Sequence, residues 1–133
     1  MIFKYKKIAS SIIRPIIPVE LRYKNARIRH EVLVDSGADS CIFDDQIGEL
    51  LGLNIETGHK GTLMGVSGKS EIVYSHTVTL NIGGNNLSIV ALFKKSMPME
   101  YGIIGQIGFF SSFVVIFDYR KERIELKPKP DIN

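Results

Sequence analysis

Asp35-Ser36-Gly37-Ala38-Asp39-Ser40 is the stretch of this chain best equipped for chemistry: a carboxylate on a glycine-containing turn, directly after the apolar run Val32-Leu33-Val34. A carboxylate presented at the end of a buried strand can serve as a general acid or base. The same residues can equally form a plain strand end, with Asp35 capping its own backbone in an Asx turn and Gly37 supplying a positive φ. Ser36 as a nucleophile would need a general base beside it, and none of His30, His59 and His76 favours one by its place in the sequence. The three histidines sit in separate segments without ligand spacing, so no metal site is expected, and His76 reads as a structural histidine on an apolar strand face. Cys41 is the single cysteine, which excludes an internal disulfide and suits a reducing compartment. With no basic neighbour to activate it, it reads as a small buried hydrophobe.

The elements that must position Asp35 are strands. Ile16 to Tyr23 and Ala26 to Val34 flank Lys24-Asn25 and read as a hairpin whose second arm delivers the acid. Asp44 can cap a short helix with Ile47, Leu50 and Leu51 on one face and Gly52 at its end. Gly61 to Met64 and Ser70 to Ile82 flank Gly65-Val66-Ser67-Gly68, a glycine-rich hairpin tip. In the second of these strands Ile72, Tyr74, His76, Val78, Leu80 and Ile82 share one parity and are expected to face the core. Gly83-Gly84-Asn85-Asn86 turns the chain into a strand from Leu87 to Phe93. Tyr101 to Gly105 follows as an apolar strand, and Gln106 to Phe113 as one or two helical turns. Val114 to Asp118 and Arg123 to Leu126 close the chain as a hairpin. About seven short strands and one helix, counted on spacing, give a mostly antiparallel β-barrel or sandwich-like domain.

A chain of 133 residues that is 44% hydrophobic and 23% charged fits one soluble globular domain without a stabilising metal or disulfide. The net charge of +3 comes from scattered basic residues that cluster only at the two ends and are not interleaved with aromatics, which argues against a nucleic-acid surface. Lys4, Lys6 and Lys7 precede the apolar stretch Ile8 to Ile13, but Arg14, Pro15 and Pro18 leave it too short for a signal-peptide core or a membrane span. The expected location is cytoplasmic, with no membrane partner. Residues 1–14 read as an N-terminal extension, 15–127 as the domain and 128–133 as a short tail.

Taken in order, Val32 to Ser40, the hairpin at Gly65 to Gly68, and Ile103-Ile104-Gly105 followed by Phe109-Phe110 and Val114 to Tyr119 resemble the retroviral-type aspartic proteases, the retropepsins, and among them the prokaryotic retropepsin-like branch. The resemblance implies an all-β, mostly antiparallel fold: a closed acid-protease-type β-barrel with one or two short helices, a single domain active as a homodimer. It implies a catalytic role for Asp35, with Ser36, Gly37, Ile104 and Gly105 supporting the turn. It also implies substrate contacts from Ala38 and Asp39, and from a flap made by Gly65, Val66, Ser67 and Gly68, whose N–H groups would be free for substrate carbonyls. Peptide hydrolysis by this chemistry needs two carboxylates, and the chain offers one such turn. The partner is therefore expected to be a second copy, with one Asp35 from each subunit activating a water on a peptide substrate and no cofactor or metal. A catalytically silent β-domain that binds extended peptides or serves as an assembly module is the competing reading.

The sequence departs from the viral pattern in two places. Gln106 stands where viral members have arginine, which removes the usual ion-pair partner of the Asp39 position and leaves Arg14, Arg27, Arg29, another base or none. Pro128 and Pro130 lack the N–H a strand ladder needs, which argues against terminal strands that interleave between subunits.

Overall fold

In the computed structural model, residues 1–65, 67–98 and 100–130 are described. Three short strands come first: β1 (Ile2–Lys4), β2 (Lys6–Ala9) and β3 (Ile12–Arg14). The hairpin of β4 (Ile16–Tyr23) and β5 (Ala26–Val34) follows, then β6 (Cys41–Asp44) and the helix α1 (Asp45–Leu50). A second hairpin pairs β7 (His59–Met64) with β8 (Ser70–Ile82), and the chain continues through β9 (Asn85–Lys94) and β10 (Gly102–Ile104) to a last hairpin, β11 (Phe113–Asp118) and β12 (Arg123–Pro128).

Six of these strands close into a barrel in the order β4-β5-β10-β6-β9-β8, and β8 returns to β4 through Glu20↔Asn81, Leu21↔Leu80 and Arg22↔Thr79. The β5–β10 and β6–β9 pairs are parallel and the other barrel pairs antiparallel, so the expected closed, mostly antiparallel barrel is what the chain forms. Closure removes the edges that β4 and β8 would otherwise leave open over their paired stretch, while β7 lies outside the closed ring. Ile17, Leu21, Val32, Phe43, Leu80, Phe93 and Ile104 fill the interior with no exposed surface. Their alternation along each strand is the period-2 pattern of a wall with one apolar face.

Residues 1–14, read in the sequence as an extension, contribute three of the twelve strands among the described residues. β1 pairs with β12, and Met1 and Leu126 exchange main-chain hydrogen bonds of 2.8 and 3.0 Å. The termini thus form a three-stranded sheet, β1-β12-β11, within one chain, and Ile124 and Leu126 anchor it in the core.

Three expectations about local packing need correction. Leu50 does not face the core but is 68% exposed. The inward residue of α1 is Gly48, because a Cβ there would stand 2.4 Å from Ile55 Cδ1 and 2.9 Å from the Phe93 ring. Ile72 is also exposed, and Val73 takes the buried place instead. The register of β8 with β9 runs unbroken from Val73↔Lys94 to Ile82↔Asn85, so no bulge interrupts the strand. Tyr74, of the expected parity, still packs against the core, and Ile72 lies with it along an open cavity beside Leu53 and Ile55, so Ile72 is exposed because the core ends there. Lastly, Gln106–Phe110 is a kinked turn and not a run of helix: Ile107 is extended (φ −80°, ψ 119°) and Gly108 adopts φ +103°.

Candidate active site

Val34 is buried in the barrel, so its successor Asp35 leaves the wall on the opposite side, half-buried, as the chain turns. The Asp35 N–H donates to the Ile104 carbonyl at 3.0 Å, continuing the parallel β5–β10 ladder by one bond past its last pair, Ile104↔Val34. On the other flank, the Val34 N–H donates to the Pro15 carbonyl at 2.9 Å. The strand end is therefore held from both sides before the turn begins.

The turn is closed by Ala38 N–H donating to Asp35 O at 3.2 Å, and Gly37 N–H donates to Asp35 Oδ1 at 2.9 Å. This is the Asx geometry that the sequence suggests, formed without the positive φ expected of Gly37, and it leaves Oδ2 without a bond to the turn. Ser36, Gly37 and Asp39 are exposed, and Ala38 is half-buried. The carboxylate thus sits on a rigid and accessible turn, and the capping arrangement is compatible with chemistry rather than an alternative to it.

Gly105 passes directly behind this turn. A Cβ on it would lie 2.4 Å from the Ala38 carbonyl oxygen and 2.6 Å from that of Ser40, so only glycine fits. Gln106 N–H donates to Ala38 O at 2.8 Å and Ile107 N–H to Asp39 O at 2.9 Å, which stitches the segment after β10 along the whole turn. Asp35, Ser36, Gly37, Ala38, Asp39, Ile104 and Gly105 are in this way brought together. Cys41, at the far side, is buried, and that burial pushes its thiol pKa up, opposed by backbone hydrogen bonds at Gly105 and Phe109. It is a packing residue.

None of the bases considered for Asp39 pairs with it: among the described residues no cation lies within ion-pair distance of Asp39, and Arg14 donates instead to the Tyr101 hydroxyl at 2.6 Å. Sequence reasoning missed the side chain of Gln106, whose Nε2 donates to the Ser36 carbonyl at 2.7 Å. The available signal was its position one residue after a glycine that must touch the turn.

The β7–β8 hairpin has register Met64↔Ser70 at its end, and Gly65, Ser67 and Gly68 form its exposed tip, with Gly68 at φ +79°. Val66 lies outside the described residues. Two amides expected to be free for a ligand are not: Gly65 N–H donates to Lys69 O at 3.2 Å and Gly68 N–H to Gly65 O at 3.0 Å, because the turn closes on itself. His76, lower on β8, bonds the Ile55 carbonyl through Nε2 at 2.8 Å and packs edge-on against Phe93, a structural role. No cluster of three metal-ligating side chains occurs among the described residues, and no helix there is long and apolar enough to cross a membrane.

The family model described as aspartyl protease matches residues 19–106, which is most of the chain and includes the whole Asp35 turn. The chain belongs to the aspartyl protease family. No curated protein sequence matches it. Among solved structures, the retropepsin-like aspartic protease from Rickettsia conorii superposes with a TM-score of 0.65 at 15% identity, covering 95% of this chain and 88% of that one. The retroviral protease-like domain of Ddi1 from Leishmania major gives 0.60 at 17% identity, over 90% and 98% of the two chains. The EIAV protease complexed with the inhibitor HBY-793 gives 0.57 at 21% identity, over 75% and 88%. At these identities the likeness shows the fold, and this family member has the retropepsin one.

Proposed function

We propose that the protein is an aspartic endopeptidase whose active site is completed by a second copy, the Asp35 carboxylates of two subunits sharing one proton and activating a water between them. The observation that carries this reading is the Asp35 turn itself: an accessible carboxylate on a turn held by Ile104, Gly105 and Gln106, in a chain of the aspartyl protease family. One carboxylate accepts a proton from the attacking water while the other donates to the carbonyl oxygen and later to the leaving amine. Two carboxylates that close cannot both ionise, which divides the acid and base roles between identical residues. Ser36 and Gly37 hold the pair in place, and Ala38 and Asp39 meet the substrate main chain. The β7–β8 hairpin covers an extended peptide, whose alternate side chains enter pockets. The single cysteine supports a reducing, cytoplasmic setting.

The test is Asp35→Asn, assayed on an unbiased peptide pool alongside sedimentation and thermal unfolding. Cleavage should disappear while the oligomeric state and Tm are kept; retained cleavage would sink the reading. A second reading, a silent domain that binds extended peptides, draws on one observation: among the described residues β7 is paired on one side only and leaves an open sheet edge. Peptide binding unaffected by Asp35→Asn, with no cleavage by the parent protein, would favour it.

A further inference from the structure

The carbonyl of Ser36 and the N–H of Gly37 are the two ends of one planar peptide unit. The N–H end donates to Asp35 Oδ1 at 2.9 Å, and the carbonyl end accepts from Gln106 Nε2 at 2.7 Å. Asp35 and Ala38 are the first and last residues of the turn, joined by the Ala38 N–H to Asp35 O bond of 3.2 Å, so this unit is the turn's central peptide. It is the one free to flip between the two common turn types. Gly37 is not among the glycines at positive φ, yet glycine enters that region without a steric penalty, so its own backbone does not resist the flip. A flipped peptide would aim its N–H away from Oδ1 and its carbonyl oxygen toward the carboxylate.

Gln106 is well placed to prevent this. Its main chain is fixed by the 2.8 Å bond to Ala38 O, the next residue by the 2.9 Å bond to Asp39 O, and the preceding Gly105 by contact with the same turn. Only its side-chain torsions are free, and they are spent on the Ser36 carbonyl. We propose that Gln106 is a positioning residue that locks the Ser36–Gly37 peptide and, through that peptide, the orientation of the Asp35 carboxylate. The proposal rests on Asp35 being catalytic for its consequence in turnover, but the lock is a property of the turn. The polarity also matters: an amide donating to one end of a peptide strengthens the hydrogen bond given by its other end.

Two substitutions test this, each with two readouts. Gln106→Ala removes the donor and should lower kcat about tenfold with KM little changed, since the group acts on orientation and not on substrate binding. Gln106→Glu keeps the size but donates only when protonated. Its alkaline limb of activity should therefore move to lower pH, with near-parental kcat recovered only toward the ordinary glutamate range of about 4. Independently of activity, the Gly37 amide proton resonance should move upfield or broaden in Gln106→Ala, and in Gln106→Glu it should return toward its parental position on acidification. An unchanged Gly37 resonance in both variants overturns the lock, whether or not the parent protein cleaves peptides. A shifted resonance with unchanged kcat and pH profile overturns the positioning role. If the parent protein cleaves nothing, the reading of Asp35 falls, while the Gly37 resonance still decides the lock.

Discussion

The strictest demand at the site falls on Gly105. Its hypothetical Cβ meets two carbonyl oxygens of the Asp35 turn, and backbone atoms cannot rotate away as a side chain can. Gly105→Ala should cost about 3 kcal/mol in urea unfolding and disrupt the turn; a cost within error of zero would show that β10 does not brace it. His30 makes a different residue-level demand. It is half-buried on β5 beside Phe43, and desolvation lowers its pKa against a smaller opposing effect of Glu31. The folded state thus resists charging it, so its contribution is full above the ordinary histidine value of about 6.5 and is lost as pH falls below that. The Tm of the parent protein should fall between about pH 7 and pH 5, and His30→Gln should flatten that decline. Identical slopes for the two proteins would rule out the histidine as the cause.

Among elements, α1 shows how a local signal can be right about the start of a helix and only partly right about its face, since Ile47 and Leu51 pack inward and Leu50 does not. Asp44 caps it as the sequence suggests, with Oδ1 accepting from Gln46 N–H at 2.9 Å, and its Oδ2 also accepts from Met97 N–H at 2.8 Å. The next residue, Asp45, faces a cavity of about 420 Å³ shared with Leu53, Ile55, Ile72 and Tyr74, and its buried Oδ1 has no hydrogen-bond partner among the described residues. Desolvation raises its pKa first, then Asp44 and Glu49, against the pull of Lys95. A carboxyl raised in this way favours the fold while protonated and loses that advantage as pH rises through its folded value. Asp45→Asn should therefore raise Tm at pH 7 and make no difference below about pH 4; equal gains at both pH values would contradict the titration. The strands β4, β5 and β8 were legible to the residue, because Lys24-Asn25 and Gly83-Gly84 mark their turns and β-branched residues fill them. The first three strands were not, because β1 finds its partner at the opposite end of the chain and β2–β3 is a mostly exposed hairpin with little apolar alternation. The Asx turn at Asp35 and the need for glycine at 105 were legible because each obeys a local backbone rule, whereas the positive φ expected of Gly37 is not found. The reach of Gln106 to Ser36 was not, since it depends on where β10 passes in space.

At the scale of the whole molecule, one barrel carries one Asp35 turn, and the account requires a second barrel for turnover. β1 and β12 already pair with each other within one chain, which favours a dimer contact that does not exchange those strands. A shared-proton pair predicts a bell-shaped pH dependence of kcat/KM, falling on the acid side as the pair gains a second proton and on the alkaline side as it loses the shared one. A flat profile from mildly acidic to neutral pH would argue against a carboxylate pair. The most direct measurement of the central claim mixes the parent protein with Asp35→Asn at constant total concentration, after allowing subunits to exchange. If each site draws one carboxylate from each subunit, only parent–parent dimers cleave, and activity falls as the square of the parent fraction, to about a quarter in an equal mixture. A linear fall, to about half in the same mixture, would mean that each subunit works by itself, and about three quarters would mean that one Asp35 per dimer suffices; either would contradict the account.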